Sequence, residues 1–595
     1  MAETVAELKK AVIKAKSVWR SHVHALETGE VEANYRIGLA GSFTLESMEP
    51  FVSAAALEAG LSPAIQVAPY NQLFQVCIDY QNHFTGELEA IAIFWRIEEL
   101  LSTEFNAYLK GDKGALDKAL VNLGNFAGAL ARLRQDFNGL LIVSTPPFPQ
   151  HGLAMLTGLD RAALQGGLFF RAIVTHWMEL TADLERVYTL DMDALQRAKG
   201  ADNIFDPRKW YLYKQPYQDS FLWQLGGQLG RMFKASLFAP KKCLVMDCDN
   251  TLWGGIVGED GLEGISIGSE FPGLPYQDVQ RLALLWKEQG VFLALLSKNN
   301  EQDVREVFER HDGMILKWEH ISAWQINWNP KPQNITQIAK TLNIGLDALV
   351  FLDDNPYEIA QMREFCPEVD SIQVPEDTAH YLGMLQHSSL FDKLEVTTED
   401  RTRSAMMQDE RNRDAIRENM SHDDFLADLA LKVTFFRPQP QHLERVTQLI
   451  NKTNQFNLTT IRRSVAEVRD IAENSDFRIY AIKVADRFGE YGLTGVAIVK
   501  VDRAESSATL DSFLLSCRIL GRGVKSAFIA AIVADLECSG ISTLIGRFLL
   551  TAKNAPASTF FADHGFRQLN DSEWSTEMSN VPKVPGYITL VEELD

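Results

Sequence analysis

No stretch of this 595-residue chain approaches the roughly 20 consecutive apolar residues that a membrane span requires, and its six cysteines form neither a CxxC pair nor a disulfide-like spacing. These absences exclude a helical membrane protein and a structural zinc site, and they suit a reducing compartment. The opening "MAETVAELKKAVIKAK" lacks both an apolar centre and a small-residue cleavage site, so it reads as a solvated helix and not as a signal peptide. A cytoplasmic protein is expected. Positive charge is also scarce: 58 Lys and Arg stand against 79 Asp and Glu, a formal net charge of −21. That balance argues against general binding of nucleic acid, which rests on many Lys and Arg contacts to phosphate. An anionic ligand must be held by a local basic or amide-rich site. Internal repeats and low-complexity segments are missing as well.

What is present is enough chain for several cores. At one domain per roughly 100–200 residues, three or four domains are expected. After a leading helix over 1–30, "YRIGLAGSFT" (Tyr35 to Thr44) is an apolar strand breaking into a small-residue turn, followed by a helical segment. "AIAIFWRIEELL" and "GLLIVSTPPFP" repeat the pattern, which predicts a parallel α/β sheet over 31–235. "KCLVMD", "VFLALLS" and "ALVFLDD" predict a second such sheet over 236–390, each strand ending in polar residues. The stretch 391–430 is dense in charge and reads as a helical connector. From 431 to 595, "RIYAIKVAD", "GLTGVAIVKVD" and "SATLDSFLLSC" predict an antiparallel sheet, with helices, in an α+β domain.

The chemistry concentrates in "KKCLVMDCDNTLWGGIVGEDG" (Lys241 to Gly261). Asp247 and Asp249 follow one apolar strand; Asp353 and Asp354 end another. Carboxylates gathered this closely call for a cation, and a hard divalent ion such as Mg²⁺ takes oxygen ligands. Ser297, after a third strand, and Lys331, in "NWNPKPQN", can bind phosphoryl oxygens, and Thr251 is grouped with them. A carboxylate nucleophile, a metal and donors for developing charge are the parts of a phosphoryl-transfer site. An isolated DxD could equally cap a turn. Four motifs in this order, three of them directly after an apolar strand, favour the site.

This constellation resembles the haloacid dehalogenase superfamily. The resemblance makes Asp247 the nucleophile and Asp249 the general acid and base. It makes Ser297 and Lys331 the phosphoryl ligands, and it assigns Mg²⁺ to Asp247, Asp353 with Asp354 beside it, and the Asp249 carbonyl. "DCDNTLWGGIVGEDG" is similar to the signature of the FkbH-like branch (subfamily IIIC), glyceryl transferase/phosphatases of polyketide pathways. "SKNN" (Ser297 to Asn300), "FLDDNPYE" (Phe351 to Glu358), "NKTNQFNLTT" (Asn451 to Thr460), "DRFGEYGLTGVAIV" (Asp486 to Val499), "LSCRILGRGV" (Leu515 to Val524) and "TAKNAPASTFF" (Thr551 to Phe561) extend it. The implied reaction takes a glyceryl unit from 1,3-bisphosphoglycerate, removes phosphate and leaves a thioester on the phosphopantetheine arm of an acyl carrier protein.

The family is thought to carry the glyceryl group transiently on a cysteine. Cys366 and Cys517 are the open candidates; Cys248 is read as a structural thiol, because strand alternation turns it away from its neighbouring aspartates. The last block resembles an acetyltransferase of the GNAT type. "RILGRG" is similar to that fold's pyrophosphate-binding turn, which assigns Arg518, Gly521, Arg522 and Gly523 to the pantetheine arm. The same glycines could simply permit a tight turn. Residues 31–235 resemble an SGNH hydrolase, with Ser42 at the nucleophile position. The region holding Asp206 has no histidine two or three residues on, so a docking or scaffolding role is expected there. Thr459 to Ser464 ("TTIRRS") and Arg401 to Arg413 are candidate docking sites for an acidic carrier. The competing readings are a plain Mg²⁺-dependent phosphatase with interaction domains, and a non-catalytic assembly-line scaffold.

Overall fold

The computed structural model describes residues 5–149, 163–200, 204–396, 421–453, 455–551 and 554–594. Two compact units, Met1–Thr397 and Thr398–Asp595, divide the chain. The first holds two five-stranded sheets and the second one eight-stranded sheet. The chain is therefore a multidomain α/β protein with two parallel sheets ahead of an α+β unit, the fold class its strand and helix pattern predicts.

In the first sheet β1 (Tyr35–Gly41), β2 (Pro63–Val67), β3 (Ala90–Phe94), β4 (Leu140–Ser144) and β5 (Val187–Leu190) run in the order β2-β1-β3-β4-β5, all parallel. Every residue of β3 and β4 is buried, so these strands are continuous apolar runs that stand out in the sequence. The edge strands β2 and β5 are only partly buried and carry polar residues, which is why no apolar run marks them. The leading helix, Val5–Glu27, is not purely solvated: Ala15 and His22 are buried, and His22 Nε2 lies 2.9 Å from the Pro63 carbonyl. Its pattern of lysines and acids hides one apolar stripe.

The helix Asp219–Leu237 crosses the helix Glu49–Glu58 at very short range. Gly226 permits this, since a Cβ there would fall 2.7 Å from the Phe51 backbone. The helix leads into the second sheet, where β6 (Cys243–Met246), β7 (Phe292–Ser297), β8 (Ile321–Ile326), β9 (Leu349–Asp353) and β10 (Asp370–Gln373) are parallel in the order β10-β9-β6-β7-β8. Beyond it the chain turns back onto the first sheet. Asp392 accepts two bonds from Arg231, at 2.6 and 2.7 Å, and Glu395 accepts one from the Tyr188 hydroxyl at 3.0 Å. Residues 391–396 thus dock without forming a helix. Of the expected helical connector, 397–420 lies outside the described residues, with the docking candidates Arg401 to Arg413; the helix His422–Asp428 follows.

The second unit contains β11 (Lys432–Phe436), β12 (Phe477–Asp486), β13 (Gly489–Asp502), β14 (Ser507–Leu515), β15 (Thr543–Arg547), β16 (Arg567–Gln568), β17 (Glu573–Glu577) and β18 (Thr589–Glu593), in the order β16-β17-β15-β14-β13-β12-β11-β18. Its sheet is mixed and not purely antiparallel, because β14 pairs β15 and β11 pairs β18 in parallel. The first of these pairs needs a crossover, and the buried helix Val524–Cys538 supplies it. Phe435, Tyr480, Phe513, Phe528 and Phe560 form the centre of that core. No helix among the described residues is long and apolar enough to cross a membrane.

Candidate phosphoryl-transfer site

The central strand β6 pairs with β7 on one side and β9 on the other, so the direction of strand order reverses at its carboxyl end. Ligand crevices in open α/β sheets form at this kind of point. Asp247 leaves β6 here, its N–H donating to the Leu352 carbonyl at 2.9 Å, and Asp353 ends the neighbouring β9. Carboxylate oxygens of Asp247, Asp353 and Asp354 all lie within 4.8 Å of one another. Lys331 opens the helix Lys331–Thr341 directly after the loop that follows β8. Its buried ammonium donates to Asp247 Oδ1 at 2.9 Å and to Asp353 Oδ2 at 2.5 Å.

These charges do not balance. Three carboxylates face one ammonium. Burial, then the charge of Asp247, pushes the Asp353 carboxyl up to about 7, against the pull of Lys331. Burial likewise raises Asp354, with Asp247 adding to it. For Lys331, burial favours the neutral amine, but the two aspartates outweigh it and hold the ammonium charged. A group of hard oxygen donors with excess negative charge fits a divalent cation such as Mg²⁺.

Asp249 stands apart from this trio and is held separately. Its Oδ1 accepts from Trp253 Nε1 at 2.9 Å and from the Val257 N–H at 3.1 Å, while Oδ2 accepts from Asn299 Nδ2 at 2.9 Å. Its side chain is not among the clustered oxygens. Burial raises the Asp249 carboxyl, and these three donors oppose the rise. Asn299 also donates to Ser297 Oγ at 3.1 Å, so one amide ties the acid to the hydroxyl at the end of β7. Asn299 and Trp253 are the residues that motif reading passes over. Both lie inside the quoted motifs, but nothing in their spacing says which side chain turns inward. Thr251 is fully buried, and its Oγ1 has no hydrogen-bond partner among the described residues.

Cys248 is not turned away from the site, since its thiol hydrogen-bonds Ser297; the remaining candidates lie elsewhere. Cys248 is fully buried, and burial together with Asp247 holds its thiol well above its ordinary pKa. Cys366 follows the helix Pro356–Phe365, and its Sγ donates to the Pro332 carbonyl at 3.6 Å. Burial and Glu368 raise that thiol too, and it packs behind the lysine helix. Cys517 opens a short 3-10 turn in the second unit; its side chain lies outside the described residues. Gly521 and Gly523 have φ of 78° and 74°, and Arg518 Nε donates to Ser516 Oγ at 3.2 Å. Arg522 is buried, bonded to the Tyr491 hydroxyl and 3.8 Å from Asp486, so its guanidinium is committed inward. In "TTIRRS", Arg462 donates to the Ile450 carbonyl and Arg463 to Asp511, both at 2.6 Å.

At the first sheet, Ser42 Oγ accepts from the Arg96 N–H at 3.0 Å and donates to Glu99 Oε2 at 3.4 Å. Asp206 caps the helix Pro207–Tyr213, accepting from the Lys209 N–H at 3.0 Å. A helix cap is its role, and the serine is fully buried.

No family model matches this chain, and no curated protein does. Among solved structures it is similar to the N-terminal part of the protein BF1531 from Bacteroides fragilis, described as containing a phosphatase domain and complexed with Mg. The two are 25% identical with a TM-score of 0.53, and the match covers 63% of this chain and 99% of that one. The ribosomal-protein-S18-alanine N-acetyltransferase of Escherichia coli matches 24% of the chain at 14% identity and a TM-score of 0.20. The spermidine N-acetyltransferase of Vibrio cholerae, in complex with CoA and spermine, matches 25% at 13% identity and a TM-score of 0.21.

Proposed function

We propose that the chain is a Mg²⁺-dependent phosphatase acting through an aspartyl-phosphate on Asp247. The observation that carries this is the cluster of Asp247, Asp353 and Asp354 oxygens within 4.8 Å at the carboxyl ends of β6 and β9. The phosphatase domain and Mg of the Bacteroides fragilis structure support it. Asp247, Asp353 and Asp354 would hold the ion, which when bound would neutralise charge on the phosphoryl oxygens and on the crowded carboxylates. Asp247 attacks phosphorus through a carboxylate oxygen that Lys331 orients. Asp249, aimed by Trp253, Val257 and Asn299, gives a proton to the leaving oxygen and then takes one from the water that cleaves the acyl phosphate. Ser297 and Lys331 are the donors for the transferring group. The test is phosphate release from a simple phosphomonoester with Mg²⁺ or with EDTA. Asp247→Asn should abolish release while the fold persists, and unchanged turnover refutes the nucleophile.

The finer reading is that the phosphate is removed while a glyceryl unit from 1,3-bisphosphoglycerate is loaded onto the phosphopantetheine thiol of an acyl carrier protein. What supports it is the run of FkbH-like motifs from Asp247 to Phe561. Incubating a phosphopantetheinylated carrier protein with the enzyme, Mg²⁺ and 1,3-bisphosphoglycerate should add a glyceryl-sized mass to the carrier. Phosphate release without that adduct leaves the phosphatase alone.

A further inference from the structure

An activated acyl group reaches a thiol either directly or through an acceptor that first takes it from its donor. The thiols Cys248 and Cys366 are both buried. The second unit holds a different nucleophile. Ser526 is the third residue of the helix Val524–Cys538, partly exposed, with its Oγ 2.9 Å from His564 Nε2. His564 Nδ1 lies 2.6 Å from the Phe560 carbonyl oxygen. A carbonyl only accepts, so in the neutral ring Nδ1 carries the hydrogen and Nε2 turns its lone pair to the serine hydroxyl. Burial lowers the imidazole's pKa, which keeps the ring neutral and able to accept a proton at neutral pH. The ring is 2% exposed and packs 4.5 Å from that of Phe560, so its orientation is fixed. A hydroxyl, a base within reach and a third group orienting the base are together the arrangement of an activated nucleophile.

The surroundings favour charge of one sign. Gly523 caps the helix in the left-handed region at φ 74° and contributes no side chain. The first amides of any helix, here those of Val524 and Lys525, have no carbonyl four residues back to bond. Helix side chains lean toward the N-terminus, so the Ser526 hydroxyl sits over this same turn. Negative charge developing on an acyl oxygen is stabilised at such a place by the amides and the helix dipole. Lys525 is paired with Asp563 at 3.4 Å, so these two side chains add no net charge to the turn.

We propose that Ser526 is a covalent acceptor for an activated acyl group, a thioester or an acyl phosphate, with His564 as its general base. The Ser526 Oγ–C bond forms as His564 Nε2 takes the hydroxyl proton; the C–S or C–O bond to the leaving group breaks, and the proton passes to that group. A thiol then attacks the serine ester: its C–S bond forms, the C–Oγ bond breaks, and the thiol's proton passes through His564 Nε2 to Oγ, restoring the hydroxyl. The acyl group's identity as glyceryl rests on the loading reading; the acceptor role does not.

The full chain is treated separately with S-acetyl-N-acetylcysteamine and with a fluorophosphonate, and the adducts are mapped by peptide mass. Acetyl and phosphonyl should both appear on the peptide containing Ser526 and vanish in Ser526→Ala, while His564→Gln should slow phosphonylation about 100-fold or more. Because His564 is buried, a second variant avoids disturbing it: the thiol of Ser526→Cys, facing His564, should react with iodoacetamide about tenfold faster than the exposed Cys538. An unmodified Ser526, or a Ser526→Cys thiol no faster than Cys538, overturns the proposal. Phosphate release is read in the same samples. If it persists without labelling, the acyl acceptor alone fails; labelling without it leaves this proposal standing and removes the phosphatase.

Discussion

Replacing Lys331 with Met tests the electrostatics of the aspartate cluster directly. The ammonium is 4% exposed and bonds Asp247 and Asp353, whose side chains are 9% and 0% exposed. Methionine fills similar space without charge, so the substitution removes the cation and little packing. Breaking a buried ion pair by deleting one partner costs about 3–5 kcal/mol, because the other charge stays behind uncompensated. Asp353, already pushed up to about 7, would take a proton and so hold the cost near the lower end. At about 2 °C per kcal/mol for a large domain, the transition of the first unit should fall by roughly 6 °C in EDTA. Mg²⁺ should then restore more stability to Lys331→Met than it adds to the wild type, since no ammonium competes with it for the carboxylates. For scale, a ligand at 100 times its dissociation constant stabilises by about 2.7 kcal/mol. Differential scanning of the full chain with EDTA and with Mg²⁺ measures both effects. A variant as stable as the wild type in EDTA, or an equal Mg²⁺ shift in the two proteins, would refute the account.

Asn299→Leu removes the amide that joins Asp249 to Ser297, so phosphate release should fall about tenfold or more through kcat. A rise in KM alone would place Asn299 outside the chemistry. In the second unit, burial would raise the Asp535 carboxyl, but bonds from Tyr480 and Arg437, and the charges of Arg437 and Arg478, hold it lowered. Its folded value lies below the unfolded one of about 3.9, so its stabilisation is complete above that pH and fades as acid carries the pH down through the folded value. Urea midpoints between about pH 2 and 6 should show a flatter acid limb in Asp535→Asn, and parallel limbs would contradict the assignment. Gly226→Val should destabilise the first unit by about 1–3 kcal/mol, because the new side chain meets the Phe51 backbone, and a neutral result in thermal melts would show that the two helices can part.

The parts of the site that sequence reveals are those that strand chemistry makes conspicuous. β6, β7 and β9 are buried along their whole length, so each is an unbroken apolar run whose abrupt polar end marks a strand terminus. Asp247, Ser297 and Asp353 are visible for that reason. β8 escapes notice because Ser322 and Gln325 interrupt its run, and Lys331 is legible only through its motif. β10, the edge strand Asp370–Gln373, is too short and too polar to stand out. Contacts between distant side chains are harder still. Asn299 meets Asp249 across 50 positions, and His564 meets Ser526 across 38. A local pattern cannot report such pairs, because their geometry depends on how the elements between them pack. Cys366 makes the same point in reverse. Its place after a helix suggests an available thiol, yet its packing against the Pro332 carbonyl, one residue past Lys331, makes it part of the support for the helix that carries that lysine. Residue type and spacing therefore identify which groups can do chemistry, while burial and partners decide which of them are free to do it.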